Sequence, residues 1–514
     1  MNRVFMFLRS TSTELTRSIF TALLMLCLSF SLVANNGIEE KGLSKEEAAA
    51  DLNFYFQLID KQHGNPYLYI SRDDFQQLIQ DKIETLPAQV SFQQLTTLLI
   101  ELNQQIRCGH TNVSFDKMQF RTEENRAEFF PYPVSIIDEA LYIDFEDGVL
   151  PHASKIESIN GIPAAQVLSE LSMLPATDGF IETKVKRSIE KKFGYYFFLK
   201  YGLKSTFQVV VEDTEGEQLE ASVDGVPAAQ MLTNNYYRPV YKTHERYIHF
   251  THLDAIDSLQ TLVLTLNTFN AHPEWFYNRI MSRYDEASKQ FNFDNLVIDL
   301  RNNEGGDRRL LNILYQLAAG KSLSDPSINA TRSLNIQPEQ LLAINGNVAD
   351  DAVIKAEDYL SKRFVNATAA GFEMPQHDWY PQEFKLDMDM TPLKFDGQVY
   401  VLTSGNTYSA AADLARILSQ LDNVTLIGEE TGGAHESRTA NMLLSYNLPN
   451  TNTLVQVPVI YEKFINTDAD NGKGRGTFPD YFVAQTRQDL INHTDAAFAM
   501  AIDLIEQGQQ LGSN

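Results

Sequence analysis

A hydroxyl, an imidazole and two adjacent small amides stand in separate stretches of this chain, each beside a break in pattern. Ser409 lies in Gln398–Leu421, QVYVLTSGNTYSAAADLARILSQL, where an apolar run of strand type gives way to a loop and then a helix. Gly305 and Gly306 lie in Asn295–Gln316, NLVIDLRNNEGGDRRLLNILYQ, which has the same three parts. Strand–loop–helix units put their loops at the carboxyl ends of strands, where open α/β sheets bind ligands. A nucleophile beside backbone donors is what acyl transfer needs, so this pairing points to a serine hydrolase.

Each residue also has a plainer reading. The helix after Ser409 carries Leu414, Ile417, Leu418 and Leu421 on one face, and a serine at a helix start is commonly an N-cap. If Ser409 is instead the nucleophile, the helix dipole and the unbonded amide of Ala410 favour negative charge beside it. Gly305 and Gly306 serve either as the other half of an oxyanion hole or simply as a βα turn. His110, in Cys108-Gly109-His110-Thr111, is a candidate general base, although a lone histidine is more often structural. Cys108 reads better as a small buried hydrophobe than as a thiol nucleophile, because no strand-to-helix elbow presents its sulfur. His435, after the apolar run Val424–Ile427, is the rival base, and Gly432-Gly433 before it shapes a substrate-facing loop. Asp468 and Asp470 either orient a histidine or sit in a solvated acidic loop.

The elements that must position these groups fall into four regions. Residues 1–34 read as a signal peptide: Arg3, Arg9 and Arg17 lead into the apolar Ile19–Ala34, which is shorter than the ~20 residues of a spanning helix. A periplasmic or extracellular location follows, with no stable membrane span after removal of the signal. Residues 35–115 read as a helical module, with helical periodicity in Lys45–His63 and Ser91–Ile106 and a helix start at Ser71. Residues 116–235 change to short strand-like runs (Tyr132–Ile137, Ala140–Phe145, Phe207–Val211) and a turn at Asn160-Gly161. Residues 240–508 alternate strands and helices and form the main α/β unit. Its strand candidates are Thr261–Leu266, Leu296–Leu300, Val399–Thr403, Val424–Ile427 and Leu454–Val459. Within it, the polar residues 322–394 read as an insertion, either a lid or a surface excursion.

Composition removes several classes of function. The net charge of -25 over 514 residues disfavours a nucleic-acid partner, since phosphate binding needs a basic surface. Once the signal is removed Cys108 is the only cysteine, so no intramolecular disulfide forms. No Cys/His cluster has zinc spacing, and neither a metal nor a cofactor is expected.

Taken together, these stretches resemble the carboxy-terminal processing and tricorn core serine peptidases. CGHT at Cys108–Thr111, VIDLRNNEGGD at Val297–Asp307, VYVLTSGNTYSAAADLARIL at Val399–Leu418, LIGEETGG at Leu426–Gly433 and GRGTFPDYFV at Gly474–Val483 match in order. The resemblance implies a ClpP/crotonase-like α/β core for 240–508 and a PDZ-like mixed-β domain for 116–235. By position it makes Ser409 the nucleophile and His110 the general base of an exported serine endopeptidase with polypeptide substrates. Gly305 or Gly306 with Ala410 would form the oxyanion hole. The lysine of the processing branch falls at Ala434, which leaves the histidine-using, tricorn-like branch. Two positions depart from that branch: its serine before the histidine is Gly109, and the expected glutamate falls near Lys473. Asp468 or Asp470 could substitute as the orienting carboxylate. The competing expectation is a peptide- or hydrophobic-ligand-binding protein on the same scaffold, with catalysis weakened or lost.

Overall fold

A computed structural model describes residues 42–115, 126, 128–236, 238, 251–289, 292–375, 377–378, 394–467 and 471–512. The expected signal segment, Asp468 and Asp470 lie outside the described residues. Among the described residues no helix is long and apolar enough to cross a membrane.

Serine hydroxyls start the three N-terminal helices, Lys45–Gln62, Arg72–Thr85 and Phe92–Ile106. Ser44, Ser71 and Ser91 each accept a hydrogen bond from the backbone N–H three residues on, and Glu47 and Gln94 complete capping boxes. Each such cap is worth about 1 kcal/mol. The buried faces, including Leu52, Tyr55, Leu58, Leu95, Leu99 and Ile106, enter one large core. The third helix ends at Arg107 in the left-handed conformation, φ 54°. That reversal turns the chain through Gly109 and His110 into a three-residue strand, Asn112–Ser114, which pairs antiparallel with Leu454–Gln456.

A six-stranded sheet lies at the centre of the α/β unit. Its order is Thr251–Ile256, Thr261–Leu266, Asn295–Asp299, Gln398–Thr403, Val424–Gly428 and Tyr481–Phe482. The first pair is antiparallel and every later pair parallel. Four of the expected strands are present to within one residue at each end. Thr261–Leu266 and Asn295–Asp299 are buried along their whole length, as parallel strands covered on both faces must be. Helices Pro273–Ser288, Arg309–Ala319 and Ala410–Leu418 pack on one face, and Ala496–Gly512 covers the other.

Leu454–Phe464 departs from expectation. It pairs with Ser437–Asn447 as a long antiparallel hairpin in a second sheet, and that sheet also takes in Asn112–Ser114 and Pro326–Thr331. The expected insertion thereby extends this sheet, adding strands Leu341–Ile344 and Gly371–Glu373 and the helix Ala349–Arg363. A third, antiparallel sheet is built from Val134–Ile137, Ala140–Ile143, Lys155–Ile159, Thr206–Glu212 and Gln218–Asp224. Two helices that periodicity did not signal, Glu182–Lys191 and Phe193–Tyr201, pass from this sheet towards the α/β unit. Thr183 there donates to the carbonyl of Glu430.

Candidate active site

Ser409 sits where the fourth strand of the central sheet turns into its helix, at φ 53° and ψ −126°. A side-chain-bearing residue pays about 1–3 kcal/mol for such a conformation. Its hydroxyl makes no capping bond to the helix it precedes. The hydroxyl instead meets His110 Nε2 at 3.0 Å. The capping reading of Ser409 is therefore not met.

The two strand–loop–helix units hold each other in place. Tyr408 N–H donates to Asn303 O, Thr407 Oγ1 to Leu300 O and Ser404 Oγ to Arg301 O. Gly305 adopts φ 95°, and a β-carbon there would lie 2.8 Å from both Ser409 Cβ and the Ala410 nitrogen. Glycine is required because any side chain would occupy the space over the hydroxyl. Its own N–H donates to Asn303 Oδ1 at 2.9 Å. Gly306 bridges to Phe269 through flanking groups, Phe269 N–H to Gly305 O and Asp307 N–H to Phe269 O, so its own N–H takes no part. Ala410 is the first residue of its helix, and its N–H has no acceptor within the helix. Among the described residues the N–H groups of Gly306 and Ala410 have no hydrogen-bond acceptor, while that of Gly305 is engaged.

His110 is half-buried and is held on its other side by Tyr408, whose hydroxyl lies 2.8 Å from Nδ1, with the ring centroids 4.8 Å apart and tilted by 31°. Burial pushes the imidazole down to about 3, helped by the positive charges of Arg438 and Lys184. It is neutral at pH 7 and able to accept a proton. The sequence reading does not single out Asp178. This buried carboxylate accepts from Gly109 N–H at 2.7 Å and faces the Tyr408 hydroxyl, whose ionisation it pushes up. Only an acid beside a glycine marks it in sequence, in a loop 69 residues from Gly109.

His435 lies elsewhere in its contacts. Its Nδ1 pairs with Thr477 Oγ1 at 2.9 Å and its Nε2 meets Asn471 Nδ2 at 3.4 Å. Its loop still borders the site, because a β-carbon on Gly433 would come within 3.4 Å of the Ser409 nitrogen. Ala434 is buried and bridges to Gly476. Lys473 donates to the Leu68 carbonyl. The Cys108 thiol is buried against Thr439 O, and burial pushes it up to about 12. Among the described residues no group of three or more His, Cys, Asp or Glu side chains could hold a metal ion. A cavity of about 190 Å³ bordered by Arg187, Arg301 and His493 includes neither Ser409 nor His110.

A hydroxyl on a strained turn, a neutral imidazole within hydrogen-bond reach and two open amides can carry out acyl transfer through a covalent intermediate. Comparison with known proteins agrees. Residues 260–483 match the model of peptidase family S41. Among solved structures, mature CPAF superposes with a TM-score of 0.56 at 14% identity, covering 87% of this chain and 94% of that one. Mature CPAF complexed with lactacystin gives 0.58 at 14%, with 91% and 98% covered. The photosystem II D1 C-terminal processing protease gives 0.40 at 12%, with 85% and 93% covered. At these identities the likeness to the two CPAF structures is one of fold.

Proposed function

Residues 260–483 are a peptidase family S41 domain and the chain is a serine-type peptidase; from that premise we propose that it is an exported endopeptidase using Ser409 as nucleophile and His110 as general base. The observation that carries this reading is the 3.0 Å contact between His110 Nε2 and Ser409 Oγ, inside the ~2.6–3.2 Å range of a working pair.

Ser409 Oγ attacks the peptide carbonyl while His110 Nε2 takes its proton. The carbonyl oxygen becomes an oxyanion between the N–H groups of Gly306 and Ala410, with the positive end of the helix Ala410–Leu418 behind it. His110 then gives the proton to the leaving amine, the C–N bond breaks, and an ester on Ser409 remains. Water, deprotonated by the same imidazole, hydrolyses that ester and restores the serine. Gly305 contributes by having no side chain. In this reading 240–508 is a ClpP/crotonase-like core, and the third sheet belongs to a PDZ-like domain that presents polypeptide ends, by strand addition or otherwise. Export rests on the leader-like composition of residues 1–34 and places the enzyme in a periplasm or outside the cell.

A fluorophosphonate probe tests the assignment. Wild type is expected to label, and Ser409→Ala and His110→Ala are not. Labelling that survives His110→Ala but is lost in His435→Ala would move the base to the other histidine.

A further inference from the structure

Among the described residues no carboxylate touches His110 directly, yet a base that becomes an imidazolium in a buried, positively charged setting needs one to be held and compensated. The groups facing it are Arg438 from the long hairpin, Lys184 from the helix Glu182–Lys191 and His63 after the first helix. All three oppose its protonation. We propose that Tyr408 and Asp178 form the positioning arm of this histidine, and that the Tyr408 hydroxyl reaches it through the space left open by glycine at position 109. The proposal rests on the reading of His110 as the base.

Three independent contacts converge on that hydroxyl. It lies 2.8 Å from His110 Nδ1. It faces the Asp178 carboxyl, which it pulls down while its own ionisation is pushed up. It also sits 2.4 Å from where a β-carbon of residue 109 would be, so no side chain at that position can coexist with it. The Gly109 N–H fixes the carboxylate from below at 2.7 Å, and Lys184 Nζ lies 4.5 Å from the Tyr408 ring centroid, holding the ring on its other face.

Counting protons fixes the direction of the arm. An ionised carboxylate can only accept, so the Tyr408 O–H donates to Asp178. The phenolic oxygen then has lone pairs left and accepts from His110 Nδ1–H. Nε2 is consequently unprotonated and accepts from Ser409 Oγ–H, which is the tautomer the attack requires. If Asp178 is protonated it can donate instead, the tyrosine proton can turn towards Nδ1, and the imidazole is driven to the wrong tautomer. Burial, only partly offset by the bond from Gly109, raises the Asp178 carboxyl to about 6. The groups facing Asp178 are Tyr408, Arg438, Lys184, Tyr69 and Cys108. The switch therefore falls where activity is readily measured.

The test compares kcat, KM and pH profiles of the full chain on a peptide substrate, with Ser409→Ala and His110→Ala as reference. Tyr408→Phe and Asp178→Asn are each expected to lower kcat by about 10- to 100-fold with KM unchanged. This is milder than the ~10⁴-fold loss when a directly bound carboxylate is removed. The acid limb near pH 6 is expected to disappear in Asp178→Asn. Gly109→Ala should match Tyr408→Phe, and the double variant should be no worse than either, since both disable one arm. Nitrogen-15 shifts of the His110 ring give a second reading, with Nδ1 protonated in wild type and the tautomer shifted in Asp178→Asn. Wild-type kcat, profile and tautomer in both variants, while Ser409→Ala and His110→Ala are inactive, would overturn the arm and leave the Ser409–His110 pair standing. Full activity in His110→Ala would overturn both.

Discussion

His110 and Ser409 are 299 positions apart in the chain and 3.0 Å apart in the fold. Neither element alone brings them together. His110 lies on a turn seated against the second sheet, and Ser409 lies on a strained turn of the central one. The contact therefore depends on the packing between the two.

Because the two act as a unit, their removal should not be additive. Ser409→Ala and His110→Ala are each expected to reduce kcat by roughly 10⁴- to 10⁶-fold, and the double variant should lose no more than the worse single. Steady-state assays with a peptide substrate check this, and a double loss equal to the product of the singles would contradict it.

Gly305→Ala should separate folding from catalysis. The new methyl meets Ser409 Cβ and the Ala410 nitrogen at 2.8 Å in a left-handed backbone, at a strain cost of about 1–3 kcal/mol. With the space over the hydroxyl filled, kcat is expected to fall by at least about 10²-fold, the scale of losing one oxyanion donor. Kinetics beside a urea titration distinguish this outcome from simple unfolding.

Asp178→Asn is expected to stabilise the protein while impairing it. A carboxyl raised to about 6 in the folded chain binds its proton more tightly there than when unfolded, near 3.9. Its contribution to stability therefore falls as pH rises from about 4 to 6 and stays low above that. The substitution removes this penalty, so the gain should be on the order of 1–3 kcal/mol at pH 7.5 and near zero at pH 4. Urea midpoints at the two pH values measure it. An equal effect at both would show that the carboxylate is not destabilised by burial.

Glu462 has the opposite sign. Burial raises its carboxyl, but Arg308 and Arg438 more than offset that and hold it at about 2. Its stabilisation is full above the unfolded value of about 4.3 and is lost as pH falls towards 2. Glu462→Ala takes from two buried guanidinium groups, Arg308 and Arg438, one of the two carboxylates they share, leaving Asp413. A loss of about 3–5 kcal/mol is expected at pH 7, with a smaller difference at pH 3. Denaturant unfolding across this range is the check.

Cys108 should be inert in the native protein. A thiol pushed up to about 12 and buried against Thr439 is essentially never a thiolate at pH 7. Iodoacetamide is expected to leave activity unchanged and to modify the residue only in denaturant. Inhibition that tracks alkylation of Cys108 would reopen the thiol reading.

Much of the central sheet is legible in the chain because buried parallel strands leave short apolar runs. Those at Leu296 and Val399 end in loops whose Gly and Ser residues mark the site. The helix starts at Ser44, Ser71 and Ser91 are legible for an equally local reason. The strand Leu454–Phe464 is legible as a strand but not as a member of its sheet, because pairing with Ser437–Asn447 leaves no mark on its own pattern. The same limit hides the arm to His110. Tyr408 is visible beside the nucleophile, but the hydroxyl's partners at 109, 110 and 178 are joined only by tertiary packing. Gly305 and Gly306 look equivalent in sequence. Only the side chain of Asn303, folded back two residues, tells their amides apart.

The strand Asn112–Ser114 pairs with residues 454–456, and that pairing also gives the enzyme a clock. During synthesis the histidine emerges early and the serine about three hundred residues later, but the strand that seats the histidine follows the serine by some forty-five more. Under the proposed mechanism, a chain that has not yet formed this pairing holds Ser409 and His110 without holding them together. Stalled chains ending before residue 454 should remain unlabelled by a fluorophosphonate, whereas chains carrying the completed hairpin begin to react. On that mechanism, activity waits for the fold to close.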